Sequence, residues 1–74
     1  MRYGPIKHRD LIDGMRACGF EGPMRPRKNA DHGWMVKSEL RVKVPNAHGK
    51  DIDINLLSDI LKQAHISRDD WARA

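Results

Sequence analysis

The sequence predicts a small α+β domain: a helix, two or three antiparallel strands, a second helix and a short C-terminal helical turn. Three observations predict it. Leu11, Met15 and Cys18 recur at helical spacing near the start of the chain. Leu40, Val42 and Val44 alternate with Arg41 and Lys43, as in a strand buried on one face. Leu56, Leu57, Ile60, Leu61 and Ala64 make a broad apolar stripe near the end. Helices gathered on one face of a small antiparallel sheet bury all three stripes in a common core. Seventy-four residues suit one domain, residues 1–74. A chain of that size buries only roughly 60% of its unfolded surface, so its core is thin. A deep cofactor-binding fold does not fit, and any chemistry must work with few residues.

The first helix runs from about Lys7 to Cys18, with Ile12 flanking the stripe and Cys18 read as a buried helix residue. Gly19 follows where a left-handed C-cap residue belongs, which lets Phe20 fold back onto the stripe. Gly14 weakens the helix interior by about 1 kcal/mol relative to alanine. From Glu21 to Gly33 the chain is irregular. Gly22-Pro23 and Pro26 allow only a short strand there, at a sheet edge. Trp34 to Lys37 reads as the next strand, with Trp34 and Val36 as its buried pair. Ser38-Glu39 is short enough for a tight hairpin turn, and the strand of Leu40, Val42 and Val44 ends in the loop Pro45-Asn46-Ala47-His48-Gly49. The second helix spans about Ile54 to Ala64 behind Asp53 as N-cap. Ser67 caps the closing turn, Asp69 and Asp70 sit at its positive end, and Trp71 is an apolar plug.

The formal charge is +4, unevenly spread. Residues 1–50 hold eleven Lys/Arg against five Asp/Glu, whereas residues 51–74 hold three against five. The first part attracts a polyanion, because Lys and Arg displace counterions from phosphates; a solvated basic face without a partner has the same composition. The lone Cys18 forms no intramolecular disulfide, no apolar run approaches a membrane span, and no apolar leader opens the chain. The expected compartment is the cytoplasm.

His8, His32, His48 and His65 show no metal-ligand spacing with one another or with acidic residues, and no Gly-rich phosphate loop is present. No metal or cofactor is expected. His32 stands apart, because it opens a strand just after Arg25, Arg27, Lys28 and Asn29. An imidazole titrates near neutral pH and can take a proton from a hydroxyl. In RNA the 2′-hydroxyl is a built-in nucleophile toward its own phosphate, so one base among cations suffices for cleavage. His32 read as a polar strand-end residue fits the same spacing. Its parity with Trp34 and Val36 points it toward the core. His48 is a candidate to bind or protonate a substrate, or a solvated loop residue.

Several segments, in order, resemble one family. Ile6-Lys7-His8-Arg9-Asp10-Leu11-Ile12 and Cys18-Gly19-Phe20 are similar to the first helix and Gly-Phe junction of HicA-type toxins. His32-Gly33-Trp34-Met35-Val36-Lys37 resembles their His-x-aromatic strand, and Val44-Pro45-Asn46-Ala47-His48 their Val-Pro-x-x-His loop. Ile60-Leu61-Lys62-Gln63-Ala64 with Ile66-Ser67 resembles their ending. The resemblance implies a double-stranded-RNA-binding-like fold, helix, three strands, helix, whose first strand falls around Gly22 to Arg27. It also implies an mRNA interferase of a type II toxin–antitoxin pair. His32 maps onto its catalytic histidine, and a HicB-like antitoxin covers the site and reaches DNA on the pair's behalf. Arg25, Arg27, Lys28, Lys37, Arg41, Lys43 and His48 are the candidates to hold RNA phosphates, with A-form RNA read through its backbone. The chain departs from the family in two places. Ala30-Asp31 precedes His32 where Gly-Ser or Gly-Lys is usual, and His65 replaces a helix-ending glycine. A non-catalytic RNA- or protein-binding module would use the same basic face.

Overall fold

The computed structural model describes residues 1–25, 33–45 and 51–74. Its elements are α1 (His8–Ala17), β1 (Glu21–Met24), β2 (Gly33–Lys37), β3 (Leu40–Val44), α2 (Ile54–Gln63) and α3 (Arg68–Arg73). The strands form one antiparallel sheet in the order β1-β2-β3, so the short β1 lies at an edge. This is the expected α+β arrangement. Arg27, Lys28, Asn29, Asp31, His32 and His48 lie outside the described residues.

Both longer helices end the same way. In α1 the Phe20 N–H reaches the Met15 carbonyl at 3.0 Å and the Gly19 N–H reaches that of Arg16 at 3.0 Å, with Gly19 at φ +96°. In α2 the Ile66 N–H reaches Leu61 at 3.0 Å and the His65 N–H reaches Lys62 at 3.2 Å, with His65 at φ +57°. These are paired Schellman bonds, and each folds an apolar residue back onto the core. Phe20 is buried by this turn and Ile66 is half-buried. Asp53 caps α2 by accepting from the Leu56 N–H at 2.8 Å, and Ser67 caps α3 by accepting from Asp70 at 3.0 Å, as the sequence predicts.

The core joins Leu11, Ile12 and Met15 of α1, Met35 of β2, Val42 and Val44 of β3, Leu57, Ile60 and Leu61 of α2, and Trp71 of α3. Full burial of each large apolar side chain contributes about 1.5–3 kcal/mol. Trp71 is wholly buried, as expected of an apolar plug, and its indole N–H donates to the Arg2 carbonyl at 2.9 Å. Ile6 and Ile52 exchange backbone bonds of 3.0 and 2.7 Å, which clamps the segment before α1 to the segment before α2.

Three expectations are corrected. Trp34 and Val36 are half-exposed, and Met35 is the side chain of β2 that is buried, next to the buried Gly33 at the strand start. The two-residue turn pairs Lys37 with Leu40, and that register sets Met35 opposite Val42. Residues directly opposite across a ladder share a face, so Met35 follows Val42 into the core and Trp34 follows Lys43 out. Leu56 is 38% exposed rather than part of the buried stripe: on the first turn of α2 it lines an open cleft beside Lys43, Val44 and Pro45 at the end of β3. Cys18 caps α1 and is half-buried.

Candidate nucleic-acid interface

One face of the sheet packs on α1 and α2. The other presents Trp34 and Val36 of β2 and Arg41 and Lys43 of β3. β1 extends both rows, with Met24 opposite Trp34 and Glu21 opposite Val36. The described residues on this face therefore form two lines across the strands. Met24, Trp34 and Lys43 make one, and Glu21, Val36 and Arg41 the other. Met24 is 41% exposed. The Arg41 guanidinium, diagonal to Trp34, lies 5.5 Å from the centroid of its ring, within range of a cation–π attraction.

Gly33 ties this face to the segment before β2. A Cβ on Gly33 would lie 2.7 Å from the Met24 carbonyl oxygen and 3.4 Å from Cγ of Arg25. Only glycine lets β1 and the start of β2 approach so closely. The exposed Arg25 thus runs alongside the residue bonded directly to His32.

Of the basic residues singled out in the sequence, the structure brings Arg41 and Lys43 together on the open face, with Arg25 beside the start of β2. Lys37 is separated from them. It shares the parity of Met35 on the helix side, where its ammonium donates to the Cys18 carbonyl at 2.9 Å and stands 5.9 Å from the Phe20 ring centroid. Lys37 thereby neutralises the carbonyl end of α1, a favourable place for a cation.

Sequence reasoning missed two features of the site. Trp34 was assigned to the core, although the two-residue turn, counted back from Val42, already places Met35 there. His8, at the first turn of α1, donates from Nε2 to the Pro45 carbonyl at 2.8 Å. A carbonyl only accepts, so that nitrogen carries the proton. The bond fixes the end of β3 against α1, immediately before the segment that holds His48.

Elsewhere, a cleft of about 340 Å³ is lined by Cys18, Lys37, His65, Asp70 and Arg73 at the opposite ends of the helices. Burial, reinforced by the Asp70 carboxylate, pushes the Cys18 thiol above its usual range, while Lys37 pulls the other way. A thiol raised in this way is a poor nucleophile. Among the described residues, no three His, Cys, Asp or Glu side chains converge as a metal site would require. No helix among them is long and apolar enough to cross a membrane.

The model of the family described as HicA toxin of bacterial toxin-antitoxin systems matches residues 8–66, from the first residue of α1 past the end of α2. The chain belongs to the HicA toxin family. No curated protein and no solved structure matches it significantly. Membership makes it the toxin of a toxin–antitoxin system, with a cognate antitoxin as partner, in a family whose members are generally mRNA interferases.

Proposed function

We propose that this HicA-family chain is an endoribonuclease that cleaves mRNA without a metal. His32 takes the proton of a 2′-hydroxyl, the 2′-oxygen attacks the adjacent phosphorus, and the bond to the 5′-oxygen breaks as that oxygen gains a proton. The products are a 2′,3′-cyclic phosphate and a 5′-hydroxyl. Arg41 and Lys43 hold phosphates on the open face, Arg25 does so beside the start of β2, and Arg27, Lys28 and His48 complete the set. Lys37, engaged with the end of α1, is left out. A HicB-like antitoxin blocks this surface, and contact with DNA runs through the antitoxin.

The observation that supports this best is the junction at Gly33. The residue bonded to His32 lies against Arg25, and one residue later the strand enters a face that carries Arg41 and Lys43. A general base needs a phosphate held within reach, and this arrangement gathers cations around the start of β2. Asp31 beside His32 favours a second reading, in which the face binds RNA without cutting it, since a carboxylate there repels phosphate. Induction of the wild type and of His32→Ala in cells without antitoxin separates the two. Transcript decay and growth arrest with the wild type alone support cleavage through His32. Equal decay with both removes His32 from the mechanism, and intact transcripts with both favour binding alone.

A further inference from the structure

We propose that the open face of the sheet is a platform for single-stranded RNA, with Trp34 stacking on a base and Lys43 and Arg41 taking the neighbouring phosphates. The proposal rests on the reading of the chain as an RNA-cleaving toxin and names the form of RNA it takes.

The two tryptophans show why Trp34 is set apart. Trp71 is fully buried and its N–H is satisfied within the fold. Trp34 has the largest side chain on the open face, half-exposed in a protein whose thin core would gain from burying it. The chain instead places Met35 inside and keeps the indole on the surface. Around it the chemistry is that of a nucleotide. Met24 and Lys43 flank it across the strands, and Arg41 reaches its ring from the diagonal position. Aromatic rings interleaved with cations on a sheet face bind splayed bases and their backbone.

The spacing favours a strand over a duplex. Arg41 and Lys43 are two residues apart on β3, roughly 6.7 Å along the strand, so they meet separate phosphates. In a duplex the bases are already stacked on one another, and an indole on a flat face reaches none of them except at an end. A-form RNA is held through its backbone and shape, which makes no use of an exposed tryptophan. The face also has a direction. Glu21, the one carboxylate on it among the described residues, stands in the line with Val36 and Arg41, so a phosphate track is drawn toward the line of Met24, Trp34 and Lys43. That line adjoins Gly33, and Trp34 lies only two residues after His32 in the chain. A base stacked on Trp34 would keep its own sugar and phosphate near the catalytic end of β2.

The probe is a short 2′-O-methyl RNA, which lacks the nucleophilic hydroxyl and so stays intact on the wild-type chain. It is offered single-stranded or annealed to its complement, and binding is read by tryptophan fluorescence and by polarisation of a labelled strand. The single strand should quench the fluorescence of the wild type and leave that of Trp34→Phe, which retains only Trp71, unchanged. Trp34→Ala should weaken binding by about tenfold, Trp34→Phe should keep most of the affinity, and annealing should weaken binding to the wild type. An unquenched wild type, equal affinity of Trp34→Ala, or a duplex bound as tightly as the single strand would overturn the proposal. Because quenching is read on the wild type, the test stands even if Trp34→Ala fails to fold. Loss of antitoxin binding by Trp34→Ala with RNA affinity unchanged would assign the face to the antitoxin and also overturn it. Binding through Trp34 without cleavage of ordinary RNA would sink the catalytic reading and leave the platform. Cleavage with undiminished RNA affinity in Trp34→Ala would do the reverse.

Discussion

At Gly14 the sequence shows only a weakness, and the structure shows its purpose. A Cβ built there would collide with the six-membered ring of Trp71, an indole that is fully buried and held by its bond to the Arg2 carbonyl. Gly14→Ala therefore sets a gain of about 1 kcal/mol in helix propensity against an overpacking cost of about 1–3 kcal/mol. The clash is with a ring that has nowhere to turn, so the variant should be the less stable, with a lower urea midpoint. A higher midpoint would show that Trp71 can move aside. Helical pattern alone does not reveal such a contact, because the partners are far apart in sequence. His65 is the opposite case. Its left-handed place after α2 is implied by the helix-ending glycine that the resembling family carries there, and the structure gives it φ +57°. His65→Gly should raise stability by about 1 kcal/mol, equivalent to a melting temperature roughly 4–8 °C higher for a domain this small. An unchanged melting temperature would mean that the imidazole makes up the difference.

Among the elements, the helices and their caps were legible because each is a local matter. Asp53, Ser67, Gly19 and the apolar stripes all act within a few residues of themselves. β3 was equally plain, since Leu40, Val42 and Val44 leave only one face for the core. The error was in β2. Trp34 and Val36 look more apolar than Met35 and Lys37, but a strand paired by a two-residue turn inherits its face from its partner. The strong alternation of β3 overrides the weaker one of β2, and Lys37 opposite Leu40 carries it across. Trp34 and Val36, whose alternation His32 shares in the sequence, lie on the open face, while His32 itself lies outside the described residues. The β1–β2 contact was not legible, because nothing near Gly33 in sequence indicates how closely Met24 approaches it. Gly33→Ala would place a methyl group 2.7 Å from a backbone oxygen, where no side-chain rotation relieves it. The variant should lose about 1–3 kcal/mol, and RNA cleavage measured well below its melting temperature should also fall. Stability lost with full cleavage would show that the junction does not position the site.

Across the whole molecule, charge and architecture divide the labour. The helices and the acidic C-terminal part close one side of the sheet, and the basic first part supplies the open side. Family and fold were legible because the quoted segments fall in order on α1, β2, β3 and α2. The site was legible only as a set of residue types, since which cations converge depends on a register that joins distant parts of the chain. The proposed chemistry at this small face is cleavage by the 2′-hydroxyl with His32 as the base. The most direct measurement is the chemistry of the new RNA ends made by purified protein in the presence of a metal chelator. The wild type should leave 2′,3′-cyclic phosphate and 5′-hydroxyl ends, and His32→Ala should not cleave. Ends carrying a 3′-hydroxyl and a 5′-phosphate, or undiminished cleavage by His32→Ala, would contradict it.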